Sequence, residues 1–260
     1  MLFCCDRFLL EIHVVFLRLH HWIVNSEDLE SRFHEDRTNE SDITQSLFRE
    51  VQGLDPDVKL FLNNRALADS DRTFEYSNQG KRLQSHGVPV FGLGTDGTFG
   101  PLDPDYERVK FRLSKLSEAG IPIYVTGLTI VDADEDRKAE KLGDMLTLLY
   151  GHPAVQGVFL GALWDGDNFD PSAALANGNN VQINAAGKKY LNLVRHSWRT
   201  NKNFTLSPTQ GYNDRAFLGE YSLRILRDGV DVHQETFTLD SRGKDVSFNP
   251  QGNIFDIYAS

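Results

Sequence analysis

A chain of 260 residues with 40% apolar content is long enough for one large domain and a small appendage. Its 37 acidic against 27 basic residues give a formal charge of -10, which argues against a polyanion partner such as nucleic acid and leaves neutral or cationic ligands open. The only cysteines, Cys4 and Cys5, are adjacent, so they can neither staple a core nor complete a four-ligand zinc site, and no metal or cofactor is expected.

Residues 1–19 read as a divergent segment. The apolar patches of the first 24 residues are interrupted by Asp6, Arg7, Glu11 and Arg18, which leaves neither a clear secretory signal nor a membrane span. Ile12 to Leu19 could add a ragged strand, and His20 to Asn25 reads as a firmer one. The stripe Ile43, Leu47, Val51 and Leu54 predicts a helix, followed by a strand at Lys59 to Asn63. A strand at Val90 to Leu93, a helix striped by Tyr106, Val109, Leu113 and Leu116, and strands at Ile123 to Thr126 and Gly157 to Leu160 complete the run. The four strands from Lys59 onward start about 31, 33 and 34 residues apart, the period of a strand-helix unit in a parallel α/β protein. Gly87-Val88-Pro89 and Gly120-Ile121-Pro122 repeat one punctuation, in which glycine ends a helix and proline blocks its continuation.

A last helix is predicted over Ala185 to Arg199, with Tyr190, Val194 and Trp198 at helical spacing. After it the pattern alternates: Tyr221 to Ile225, then Asp228-Gly229, then Val230 to Leu239. An Asp-Gly pair between alternating runs signals a hairpin, so residues 203–260 are expected to form a small antiparallel β module.

Three motifs invite chemistry and fail on spacing. Gly92-Leu93-Gly94-Thr95-Asp96-Gly97 has the dinucleotide-binding spacing, but Gly100, Pro101 and Pro104 follow, so no helix opens where a pyrophosphate would sit; a glycine-rich loop over a strand end is the expectation. Asp132-x-Asp134-x-Asp136 and Asp165-x-Asp167 lack the glycine and glutamate of a calcium loop and read as solvated or helix-capping acids. The informative stretch is His21-Trp22-Ile23-Val24-Asn25-Ser26-Glu27, a strand that ends in Asn-x-Glu and should present both polar side chains at its carboxyl end.

His21 to Glu27, Leu54 to Asn63, Gly87-Val88-Pro89, Pro122 to Thr126, His152 to Val158, Leu163-Trp164-Asp165-Gly166 and Asn184 to Leu191 occur in an order that resembles glycoside hydrolase family 10, which contains the endo-β-1,4-xylanases. The resemblance spans about residues 20–200 and implies an eight-stranded (β/α) barrel with retaining chemistry, acting on β-1,4-linked polysaccharide such as xylan. Glu27 falls on the family's acid/base position. Where the family places its nucleophilic glutamate after a threonine, this chain reads Thr126-Gly127-Leu128-Thr129, so Gly127 leaves that position vacant. Trp22, Asn25, Asn63, Asp96, Thr98 and Trp164 match sugar-contacting positions, with Asp96 and Thr98 standing where the family usually has glutamine and histidine, and Ser26 and Gly161 replacing an asparagine and a tryptophan.

Glu27 corresponds to the fourth strand of the family's barrel, so the resemblance implies an N-terminally truncated, divergent member: a partial (β/α)8 TIM barrel over residues 20–200, followed by the β module at 203–260. Five or six strands cannot close a barrel of eight, and the open edge would need another segment or chain to cover it. The family usually acts outside the cell, which implies secretion although the N-terminus shows no clear signal.

Three functions are open to such a chain. A family member without its nucleophile loses hydrolysis and retains weak polysaccharide binding. Alternatively, Asp96 activates a water over Gly127 while Glu27 serves as acid, an inverting glycosidase. The third is a non-carbohydrate interaction protein that uses the β module.

Overall fold

The computed structural model describes residues 20–26, 29, 33–67, 72–166, 170–206, 213–246 and 255–259. Residues 1–19, with the strand expected at Ile12 to Leu19, lie outside the described residues, as does Glu27. The chain divides into two compact units, Met1–Gly187 and Lys188–Ser260.

The first unit alternates strand and helix as the spacing predicts. In order come β1 (His21–Ser26), α1 (Phe33–Thr38), α2 (Ile43–Leu54), β2 (Lys59–Asn64), α3 (Thr73–Ser85), β3 (Gly92–Phe99), α4 (Tyr106–Ser117), β4 (Ile123–Ile130), α5 (Glu135–Gly151) and β5 (Val155–Leu160). The strands form one five-stranded sheet in the order β1-β2-β3-β4-β5, and every pairing is parallel. Among the described residues β1 and β5 each have one side without a partner strand. No described helix is long and apolar enough to cross a membrane.

The helix signals act as their chemistry requires. Gly87 and Gly120 adopt φ of 67° and 69°, the left-handed conformation that ends a helix cheaply only at glycine. Asp105 and Asp134 cap α4 and α5 by accepting from backbone N–H groups of the first turn. In α4 the expected stripe of Val109, Leu113 and Leu116 is buried. In α2 it is rotated by one residue: Thr44, Phe48 and Val51 are buried, while Leu54 is 39% exposed. The Phe48 ring offers more apolar area than Leu47, and the helix turns to bury it.

One face of the sheet packs on the helices. Leu60, Leu62, Leu93, Ile123 and Val125 are almost wholly buried, and the Tyr76 hydroxyl of α3 lies between the carbonyls of Leu62 (2.8 Å) and Gly94 (2.7 Å). The opposite face carries a ring cluster. His21 meets Phe61 at 5.4 Å and Tyr124 at 6.0 Å, and Phe61 meets Tyr124 edge-on at 4.9 Å. Burial, with the nearby charge of Lys59, lowers the His21 pKa and favours the neutral ring.

The ring cluster explains the glycine-rich run. Gly92 to Gly97 is not a loop but β3 itself, which corrects the expectation from the sequence. A side chain on Gly92 would collide with the Phe61 ring, and one on Gly157 of β5 would meet Tyr124 Cδ1 at 2.7 Å. Small residues on one strand admit large rings from the next.

Beyond β4 the acidic cluster is split in role. Asp134 caps α5, but Asp132 is 1% exposed and holds the Arg137 guanidinium at 2.6 and 2.7 Å and Lys141 Nζ at 2.9 Å. Those two cations hold its carboxyl well below the usual range. Lys141 also donates to Pro101 O at 2.6 Å, and the Asp132 N–H donates to Ser172 O. Through Lys141 the Asp132 carboxylate ties its own loop to the one that follows β3, and the Asp132 main chain ties in the loop that follows β5.

The end of the first unit holds the two-residue strands β6 (Ala176–Asn177) and β7 (Gln182–Ile183), and the unit division falls within α6 (Ala185–Asn192). The helix expected through Arg199 is α-helical only to Asn192; over Leu193–Ser197 it widens to a π turn, with the Trp198 N–H donating to Leu193 O. The second unit contains β8 (Lys202–Leu206), β9 (Gly219–Arg227), β10 (Val230–Leu239) and β11 (Phe255–Ala259), an antiparallel sheet in the order β10-β9-β11-β8. The hairpin sits where the Asp-Gly pair predicts it. Asp228 and Gly229 take φ of 50° and 76°, and the paired Tyr221 and Phe237 stack at 5.5 Å.

Two outcomes are expected for the first unit. Gly92→Ala forces Phe61 out of its cluster and costs about 1–3 kcal/mol, read by denaturant unfolding. Asp132→Asn lowers the melting temperature, and the gap to wild type is full above a pH of about 4, the unfolded carboxylate value, and shrinks as pH falls below it because the native pKa is depressed.

Candidate functional site

Parallel strands deliver their carboxyl ends to one rim, and on that rim the candidate residues depend on a break in β4. Thr95 pairs with Val125, yet the next pair is Asp96 with Gly127, so Thr126 is an extra residue in β4. The same slip recurs on the other side, where Val125 pairs with Val158 and Leu128 with Leu160. Such a bulge bends the strand and re-aims its side chains. Here it sets both Thr126 and Gly127 against Asp96.

The result is a chain of polar groups across four strand ends. Asn63 of β2 donates from Nδ2 to Ser26 Oγ of β1 at 3.0 Å. The Thr126 hydroxyl of β4 lies 2.6 Å from Asn63 Oδ1 and 2.7 Å from Asp96 Oδ1 of β3, one hydroxyl serving two acceptors. Gly94 is required beneath them, since a Cβ there would lie 2.5 Å from Asn63 Oδ1 and 2.9 Å from Thr126 Cγ2.

Gly127 is different. A Cβ at Gly127 would meet only Asp96, at 3.4 Å from Oδ1 and 3.9 Å from Cγ, which is ordinary contact. The backbone there does not demand glycine; the position is simply without a side chain, and a carboxylate faces the space.

Asn63, Asp96 and Gly127 are thus gathered into one cluster, with Thr98 two residues along β3 on the same side and exposed. Two other residues expected in the cleft lie elsewhere. Trp22 follows His21, whose ring lies in the inner cluster; alternation along β1 puts Trp22 on the helix-facing side, half-buried beside Leu60. Asn25 is 2% exposed and donates from Nδ2 to Thr44 Oγ1 of α2 at 2.9 Å. A register slip between Ile23 and Asn25 turns it inward, so it does not face the rim as the Asn-x-Glu pattern suggested.

Trp164 belongs to the loop after β5. Its indole N–H donates to Gly178 O at 2.7 Å, while the Asp165 carboxylate accepts from the Gly178 N–H at 2.9 and 3.0 Å. The loop bridges to β6 through Trp164 and Ala176, and no hydrogen bond joins Trp164 to the Asp96 cluster. Among the described residues no three His, Cys, Asp or Glu side chains gather as a metal site.

The residue that sequence reasoning missed is Thr126. It was visible as the threonine ahead of the vacancy, but its role as the joint between β2, β3 and β4 rests on a bulge that alternation does not reveal.

Comparison with known proteins gives the cluster its context. The family model described as glycosyl hydrolase family 10 matches residues 25–192. The anti-sigma-I factor RsgI6 of Acetivibrio thermocellus is 29% identical over 224 residues, covering 85% of this chain and 29% of that protein. Endo-1,4-beta-xylanase 1 of Arabidopsis thaliana is 29% identical over 225 residues, covering 85% of this chain and 23% of its own length. The chain therefore spans about a quarter of each relative.

Among solved structures, xylanase 10B from Thermotoga petrophila RKU-1 in complex with xylobiose superposes with a TM-score of 0.62 at 19% identity, over 74% of this chain and 64% of that one. A GH10 endoxylanase from a sugarcane soil metagenome gives 0.61 at 18% identity, over 72% and 68%. These likenesses identify the five-stranded parallel sheet as part of a TIM-barrel fold. The family match covers more than half of the sequence, and the chain belongs to glycosyl hydrolase family 10.

Proposed function

We propose that this chain is a family 10 module that holds β-1,4-linked xylan at its strand ends without cleaving it. The observation that carries the reading is Gly127: retaining hydrolysis needs a carboxylate to attack the anomeric carbon, and this position offers only hydrogen. In this reading Glu27 keeps the acid/base position, Asn63, Asp96 and Thr98 supply polar contacts, and Trp164 supplies an aromatic surface. The lost nucleophile removes most of the rate, because paired catalytic groups act as a unit. Residues 20–200 form the glycan-holding half, residues 203–260 an accessory β module, and the free sides of β1 and β5 are covered by another segment or chain.

A second reading has one observation in its favour. The Asp96 carboxylate faces the space over Gly127, where it could activate a water while Glu27 protonates the leaving oxygen. Inversion of this kind needs carboxyls about 6.5–9.5 Å apart.

One assay separates the two. On an aryl xylobioside the wild-type chain is expected to release aryl alcohol no faster than Glu27→Gln, while xylan retards it in affinity electrophoresis. A wild-type rate about 100-fold or more above that of Glu27→Gln would establish catalysis and remove the binding-only reading.

A further inference from the structure

The inner face of the five-stranded sheet is apolar, and its two flanks are open. Ile23 of β1 pairs with Phe61, which puts it on the side of the His21, Phe61 and Tyr124 rings. A side chain on Gly157 of β5 would meet the Tyr124 ring, so Phe159, two residues on, lies on that side as well. Phe61 is 3% exposed, whereas Ile23 and Phe159 are 45% and 52% exposed.

The same unit of the chain carries a segment suited to that face. In residues 8–16, which lie outside the described residues, every second position is apolar: Phe8, Leu10, Ile12, Val14 and Phe16. Glu11 and His13 fall on the other side. Nine extended residues span about 30 Å, and four strand spacings carry β1 to β5 in about 19 Å, so the segment is long enough to cross the sheet. It is also tethered where it needs to be. The His20 carbonyl accepts from the Lys59 N–H, so the chain joins the sheet at the foot of β1. Leu17 to Leu19 reach about 10 Å from there, the spacing of two packed layers. So short a tether gives the segment an effective concentration in the millimolar range, above that of a second copy of the chain in micromolar solution.

We propose that residues 8–16 lie as an extended strand across the inner face from β1 to β5. Phe8, Leu10, Ile12, Val14 and Phe16 turn onto Ile23, Phe61, Tyr124 and Phe159, and Glu11 and His13 stay in water. The segment takes the place that the opposite strands hold in a closed barrel, and it removes from solvent the apolar surface that five strands leave open. The inference concerns the face of the sheet and not the rim, and it stands or falls apart from glycan binding.

The test places the photoreactive residue p-benzoylphenylalanine in the full chain at position 159, and in a second variant at position 23, and locates the cross-links by mass spectrometry after irradiation. Both variants are expected to cross-link to residues 8–16 of the same chain, at monomer mass on a denaturing gel. Cross-links at dimer mass would give the face to a second copy, and cross-links that avoid residues 8–16 would give it to another part of the chain; either result overturns the proposal. A pair of double variants reads which side of the segment is buried. Ile12→Asp with Val14→Asp is expected to lower the melting temperature by about 5 °C and to raise the fluorescence of bound anilinonaphthalene sulfonate severalfold, whereas His13→Asp with Val15→Asp changes neither. Equal effects of the two pairs would also overturn the proposal.

Discussion

The Thr126 hydroxyl is the joint on which the rim is built. It reaches Asn63 and Asp96 at once because β4 contains one residue more than its neighbours, and that extra residue is Thr126 itself. Remove the bulge and strict alternation would carry Gly127 away from Asp96, parting the vacancy from the carboxylate. Gly94 is the matching constraint from below, since any side chain there would push Asn63 and Thr126 apart. A backbone irregularity and a missing Cβ thus determine which groups a ligand would meet.

Behind the rim, the frame is held by size complementarity and by the buried Asp132 with its cations. Gly92 and Gly157 give room to Phe61 and Tyr124, which lets wide rings fill the inner face of a sheet that pairs with no further strand among the described residues. Asp132, beyond the end of β4, fastens the loops around the rim through Arg137, Lys141, Pro101 and Ser172. The carboxylates at 96 and 132 therefore play opposite parts. Asp132 is held by two cations and is structural; Asp96, among the described residues, is met by the hydroxyl that Thr126 shares with Asn63.

Much of the fold was legible because its signals are periodic and local. The spacing of the strands, the glycines at 87 and 120, and the Asp228-Gly229 turn each act through the conformation of one or two residues. The site was legible only in part. Asn63, Asp96 and Gly127 come together as their positions in the family pattern implied, but Trp22 and Asn25 turn toward the helices. The two have different causes: Trp22 is placed by plain alternation from His21, whereas Asn25 is turned by the slip between Ile23 and Asn25, and neither that slip nor the one at Thr126 leaves a mark in composition. The glycine-rich run misled for a related reason, because glycine that makes room for a neighbour's ring looks the same in sequence as glycine that makes a loop.

Holding and cutting part at a single position in this account, and native mass spectrometry of the chain mixed with xylohexaose tests both halves at once. The account predicts a one-to-one complex whose bound sugar keeps its full hexaose mass through hours of incubation. A complex whose ligand mass falls to that of xylobiose or xylotriose would contradict it.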